Sequence, residues 1–165
     1  MDPILTTLIT TAGTEVVKFL IKYLTTASSN TQNPYKRDVL REIRENIKVL
    51  SHRERKIDMD LLIKDLSNNA IMEAYTNGYN FNKLKRGRPK QIPQELTAAE
   101  KNNLYFGWDC KRMIDGIDNK ISDLHRLRRL HDDVDIVEDI NLTARFNNLN
   151  YQLVLLVRFL QYRNK

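Results

Sequence analysis

The sequence predicts an all-α fold, an elongated helical bundle of about five helices with a long C-terminal helical hairpin. Apolar residues recur at spacings of three and four along most of the chain, and its 165 residues include only five Gly and four Pro, with long stretches free of both. The last stretch, Asp133 to Arg163, carries the strongest pattern: Leu142, Phe146, Leu149, Leu153, Leu156 and Leu160 form the seam of a helix packed lengthwise against others. Between Leu153 and Val157 the run is apolar all the way round, so this helix is expected at the centre of the bundle or completed by a second chain. A length of 165 residues with 41% hydrophobic content fits a single domain spanning residues 1–165.

Asp2-Pro3 reads as an N-cap followed by a proline at the first helical position. Leu5, Leu8, Ile9, Ala12, Val16, Phe19, Leu20 and Tyr23 then make an apolar stripe, opposite Glu15, Lys18 and Lys22. Those charges argue against a membrane span. A Ser/Thr/Asn-rich connection, Thr25 to Gln32, leads to a second cap and proline at Asn33-Pro34. The helix that follows is expected to reach about Arg55 on the seam Leu40, Ile43, Ile47 and Leu50. Asp38, Glu42 and Glu45 interleave with Lys36, Arg37, Arg41, Arg44 and Lys48, which reads as a solvated face with weak ion pairs.

Asp58 is expected to cap a third helix carrying Leu62, Leu66, Ala70 and Met72 to Tyr75, with its stop at Asn77-Gly78. Residues 79–96 show no periodicity and read as a long loop. Thr97-Ala98-Ala99-Glu100 has the pattern of a capping box that would open a fourth helix, running to Leu130. Its apolar side would hold Leu104, Phe106, Trp108, Cys110, Met113, Ile114, Ile117, Ile121, Leu124 and Leu127. Gly107 and Gly116 each weaken it by about 1 kcal/mol relative to alanine, so a bend or break is expected between Phe106 and Gly116. A fifth helix would begin at Asp132 or Asp133. If continuous, the last two helices would be roughly 45 to 50 Å long, longer than the first three can cover, and self-association is the simplest way to bury the remainder.

The net charge of +6 is concentrated in one place. Lys83, Lys85, Arg86, Arg88 and Lys90 lie within eight residues without an acid, and the other residues hold 22 basic against 21 acidic groups. A polyanion would be attracted there first. The single cysteine, Cys110, excludes an intramolecular disulfide, and with no secretory pattern at the start the expectation is an intracellular protein, cytoplasmic or nuclear.

Lys85-Arg86-Gly87-Arg88-Pro89-Lys90 resembles the core of the AT-hook family, in which an extended Arg-Gly-Arg-Pro segment lies in the minor groove of A·T-rich DNA. It is also similar to the Gly-Arg-Pro arm of Hin-type recombinases, although here the chain enters one long helix and not a helix-turn-helix. Glycine lets the backbone approach a groove floor and proline holds the chain extended. The resemblance implies Arg86 and Arg88 in a narrow groove of negative potential, with Lys83, Lys85 and Lys90 on phosphates.

Arg126 and His131, with four residues between them, resemble the ribonuclease motif of HEPN helical domains, which implies RNA cleavage at a dimer interface; the family's polar residue after the arginine is here Leu127. Cations in the last turn of a helix also complement its dipole, which is the structural reading of Arg126, Arg128, Arg129 and His131. His52, His125, His131 and Cys110 share no metal-ligand spacing, and no phosphate-cradling loop or nucleophile elbow occurs. Trp108 and Phe106 read as core anchors because they continue a helical apolar pattern.

The expectation is therefore a non-catalytic, self-associating helical protein without cofactor or metal that binds DNA or RNA, with little sequence specificity, through Lys83, Lys85, Arg86, Arg88 and Lys90. The alternatives are a structural or adaptor protein that recruits a protein partner or builds an assembly, and a HEPN-like ribonuclease.

Overall fold

In the computed structural model of the chain, which describes residues 13–51, 58–98, 103–131 and 141–163, all regular structure is helical. The expected Asp2-Pro3 start, the end of the second helix near Arg55, the Ala99-Glu100 half of the capping box and the start of the fifth helix at Asp132 or Asp133 lie outside those residues. Helix α1 (Gly13–Ser29) buries Leu20 and Leu24 and packs Val16, Tyr23 and Ala27 beside them. Phe19, expected on that stripe, is 62% exposed, because it sits on the flank of the face that Leu20 and Leu24 define. Helix α2 (Pro34–Ser51) starts at Asn33, whose Oδ1 accepts the Lys36 N–H at 2.9 Å, and buries Leu40, Ile43, Ile47 and Leu50 against α1. Arg37, Arg41, Arg44 and Lys48 form exposed ion pairs with Asp38 and Glu45, each worth only tenths of a kcal/mol, roughly.

Glu42 does not belong to that solvated face. It is buried, and it explains why the expected third helix is two. Helix α3 (Met59–Asp65), capped by Asp58, ends at Leu66 in extended backbone, and α4 (Asn69–Thr76) restarts three residues later. Asn68, the residue before α4, makes no side-chain cap bond. The cap comes from α2 instead: Glu42 Oε1 accepts from Ala70 N–H at 2.9 Å and from the Ser67 hydroxyl at 2.6 Å, while Oε2 accepts from Ile71 N–H at 3.0 Å. These N–H groups are orphan donors of a first helical turn, and a carboxylate is the acceptor that the positive end of a helix dipole favours. Asn46, one turn further on α2, pairs with both backbone polar groups of Ser67, and Asn68 reaches Asp118 and Ser122. His125 Nε2 lies 3.1 and 2.9 Å from the carbonyl oxygens of Ile63 and Leu66, two acceptors, so that nitrogen carries the proton. Helix α4 stops as expected: Gly78 adopts φ +67°, and the N–H groups of Gly78 and Tyr79 bond to the carbonyls of Tyr75 and Ala74, a Schellman ending.

The expected fourth helix is likewise divided. After the single turn α5 (Gln94–Thr97), helix α6 (Cys110–Leu130) begins at Asp109, whose Oδ1 accepts from Arg112 N–H at 2.8 Å. Residues 103–109 are not helical, with Asn103 at φ +45° and Gly107 at φ +77°, so the interruption begins before the Phe106 to Gly116 window and α6 is unbroken beyond it. Gly116 leaves α6 unbroken and makes room: a Cβ there would collide with the amide of Gln152, which is fully buried. Gln152 Nε2 donates to the Met113 carbonyl at 3.0 Å and its Oε1 accepts from Lys120 Nζ at 2.6 Å, joining α6 to α7 (Leu142–Gln161).

Helix α7 begins at Leu142, because Asn141 leaves helical geometry and its side chain accepts from Ala144 N–H at 2.9 Å. With 21 and 20 residues, α6 and α7 are roughly 31 and 30 Å long, shorter than the 45 to 50 Å expected. The seam residues of α7 are all buried, as are Leu155, Val157 and Phe159 off the seam. Helices α1, α2, α5 and α6 contact it. The apolar circumference of α7 is thus covered within the chain itself.

Glu42→Gln keeps the shape but turns an N–H donor toward one of the donors it now satisfies. The variant is expected to lose roughly 1–3 kcal/mol of stability. Urea denaturation checks this: the midpoint should fall with the slope unchanged, and an unaltered midpoint would contradict the clamp.

Candidate nucleic-acid interface

The basic stretch grows out of a buried footing. After α4 the chain forms a 3-10 turn, Phe81–Leu84, capped by Asn80 and anchored by the buried side chains of Phe81 and Leu84. Its two last carbonyls, of Lys83 and Leu84, accept from Lys36 Nζ at 2.9 and 3.1 Å. Lys36 was expected in a solvated row of charges; it is instead a buried cation that holds a helix end, the position its charge favours. Burial pushes its ammonium below the usual lysine range, and the guanidinium of Arg86 adds to the shift.

Lys85 departs furthest from expectation. It is only 2% exposed, so it is not a phosphate contact. Its Nζ donates to the carbonyl of Tyr162, just past the end of α7, and sits 5.5 Å above the centre of the Phe159 ring. Burial lowers its pKa, and Lys90 and Arg163 act in the same direction. Seven residues on, Ile92 is buried as well, and its backbone is tied on both sides: its N–H donates to the Trp108 carbonyl at 2.8 Å and its carbonyl accepts from Gly107 N–H at 3.0 Å.

Between these footings Arg86, Gly87, Arg88, Lys90 and Gln91 are exposed, and Lys83 is exposed just before them. Gly87 adopts φ +75° and the Arg88-Pro89 peptide is cis. With Gly87 in the left-handed region and Lys85 and Ile92 tethered, the segment is a turn held at both ends, not the extended arm that a minor groove requires. Lys83, Arg86, Arg88 and Lys90 form no ion pair among the described residues. Arg163 joins them in space, because Lys85 holds the end of α7 beside the turn. Burial raises the Tyr23 phenol above its ordinary pKa, and the guanidinium groups of both Arg86 and Arg163 oppose that rise, so both cations lie within electrostatic range of that phenol. Nothing in the sequence near Arg163 marks it; only the position of α7 does.

Phe106, expected as a core anchor, is 55% exposed in the turn between α5 and α6. The helical period that would have buried it does not exist there. Trp108 is half-buried, packed edge-on to Tyr105, and carries the Arg112 guanidinium 4.4 Å from its ring centre. Phe106 and the basic turn face a common open cleft of about 540 Å³, lined also by Asn82, Pro93 and Asp109.

Beneath the turn lies Cys110, 1% exposed, whose thiol is pushed up to about 12 by burial. Tyr79 is raised to about 12 for the same reason, and its hydroxyl has no partner among the described residues. Such groups stay neutral at physiological pH and act as packing.

The HEPN-like pair lies elsewhere. Arg126 is an exposed residue 2.9 Å from Asp123, and His131 is the residue that ends α6. Arg128 reaches across to Asp60 at 2.9 Å, tying α6 to α3. Among the described residues no group of three or more His, Cys, Asp and Glu side chains could hold a metal ion, and no helix is long and apolar enough to cross a membrane. No protein-family model, no curated protein and no solved structure matches the chain.

The Cys110 thiol yields a pH prediction. Because its folded pKa of about 12 exceeds the ordinary 9.0, its contribution is fully present below pH 9 and is lost as pH rises toward 12. Comparing urea midpoints of the wild type and Cys110→Ala at pH 8, 9.5 and 10.5 should show the wild type losing stability more steeply, so that the gap between them closes with pH.

Proposed function

We propose that the protein binds nucleic acid through the turn from Arg86 to Gln91, by electrostatic capture of phosphates with little base-specific readout. One observation carries this reading: Arg86, Arg88 and Lys90 stand exposed and without an acidic partner among the described residues, on a segment pinned at Lys85 and Ile92. Cations already held in place lose little conformational freedom when a phosphate chain meets them, so more of their attraction remains as affinity. Lys83 and Arg163 extend the same positive surface. Lys85, by contrast, contributes from below as a strut.

The turn suits the outer face of a phosphate backbone better than a groove floor, since Gly87 bends the chain where an inserted arm would run straight. Affinity in the range of non-specific binding is expected, about 10⁻⁴ to 10⁻⁶ M near physiological salt and tighter below it. A structural or adaptor role has less to draw on. Phe19, Leu61, Met72 and Leu130 are exposed on four different helices, and Leu104 and Phe106 on the turn before α6; exposed apolar residues in such numbers are ordinary for a protein surface.

Fluorescence anisotropy with labelled oligonucleotides at 50 and 200 mM salt tests the reading. The wild type should bind and weaken with salt. Arg86→Gln/Arg88→Gln/Lys90→Gln should bind more weakly and show a salt slope shallower by about one for each phosphate contact removed. Equal binding by the triple variant, or no binding by the wild type at 50 mM salt, would refute it.

A further inference from the structure

The basic turn has a second wall, and that wall is aromatic. We infer that the cleft between the turn and Phe106 receives an unstacked base, so that the protein prefers single-stranded to duplex nucleic acid; this rests on the nucleic-acid reading above and specifies its ligand.

Three features of the cleft point to a base. The first is the ring itself. Phe106 exposes more than half of its surface, as does Leu104 two residues before it, while Tyr105 and Trp108 pack inward. The ring is set on a fixed backbone: Phe106 N–H donates to the Asn103 carbonyl at 3.1 Å, and the next residue, Gly107, is bonded to Ile92. The second is size and shape. The cleft of about 540 Å³ lies open to solvent, and Pro89 and Pro93 line it together with Phe106. Rigid apolar rings lining an open cleft suit a planar base, and every base has a face to offer, so this contact asks for no particular sequence.

The third feature is charge. Lys90 lines the cleft, with Arg88 two residues before it, so a strand whose base entered beside Phe106 would meet cations within a nucleotide's reach of its phosphates. Asp109 is the acid among the lining residues, and it is already committed. One carboxylate oxygen caps α6 through Arg112 N–H at 2.8 Å, and the other accepts from Asn82 Nδ2 at 3.0 Å. Its charge is directed at a helix N-terminus and an amide, which weakens its repulsion of a phosphate chain. In a duplex, bases are stacked inward and present no free face, so the ring would contribute nothing there and only the cations would act.

The test uses the full chain and fluorescein-labelled oligonucleotides of one length, as single-stranded thymidine and mixed-sequence strands and as the corresponding duplex, at 50 mM salt. The wild type should bind the single strands more tightly than the duplex. Phe106→Ala should weaken single-strand binding by about 5- to 150-fold, the worth of one stacked base, and leave duplex binding unchanged. Phe106→Trp, which keeps a flat ring, should restore the single-strand preference. If Phe106→Ala binds single strands as the wild type does, or weakens both forms equally, the inference fails while phosphate capture stands. If the wild type binds neither form, both readings fall together.

Discussion

A helix that is apolar around its whole circumference has to be enclosed, and the enclosure of α7 shapes much of this molecule. Leu153, Leu156, Val157 and Phe159 point in different directions and are all fully buried, so no single partner helix could cover them. Helices α1, α2, α5 and α6 each take a share. The remaining part, at the end of α7, is closed by the stretch after α4, where Lys85 lies over Phe159 and binds the carbonyl of Tyr162. Burying an apolar side chain contributes roughly 1.5–3 kcal/mol, and the Tyr162 carbonyl and the Phe159 ring offset part of the cost of desolvating the Lys85 ammonium beside it. The basic turn is therefore part of the wrapping. Its exposed cations owe their fixed position to the same contacts that keep water from α7.

Polar groups decide where the wrapping segments stop. Glu42, Asn46 and His125 each reach across from another helix to backbone groups between Ile63 and Ile71; the Ile63 carbonyl also accepts from Leu66 N–H at 3.3 Å, while the N–H groups of Ala70 and Ile71 belong to a first helical turn that cannot satisfy them itself. Left unpaired in the interior, each such group would cost about 1–3 kcal/mol. With the partners present, the chain can end α3, turn and begin α4 without exposing the core. The same device recurs at Lys36, whose ammonium holds the 3-10 turn on which the basic segment stands.

What could be read from the residues alone follows from how local the cause is. The seam from Leu142 to Leu160 and the seam from Leu40 to Leu50 are buried as their periodicity implied, because a helix on a core needs only its own spacing to show which face turns inward. The Schellman stop at Gly78 and the weakness near Gly107 are local too. The break between α3 and α4 was not legible, since its cap stands on α2, more than twenty residues away. Nor were the buried lysines: Lys36 and Lys85 look like any charged residue until the carbonyls they hold are in place. Phe106 was misplaced for a related reason. Extending the period of α6 backwards across Gly107 put it in the core, whereas the turn there puts it in the open cleft. For the site, the cluster of charge was visible as composition, but which of its members face solvent, and that Arg163 stands with them, depended on the path of the chain.

The meeting of Gly116 and Gln152 sets the alignment of α6 and α7 as a vernier does. Elsewhere along the two helices, leucines and isoleucines would tolerate a small slide, for one apolar surface resembles the next. The amide of Gln152 fits only where α6 lacks a side chain and offers the carbonyl of Met113. One step along α6 in either direction, it would strike Asp115 or Ile117 and leave its own polar atoms buried and idle. A core assembled mostly from interchangeable grease thus acquires a single admissible registration from one absent methyl group and one carboxamide.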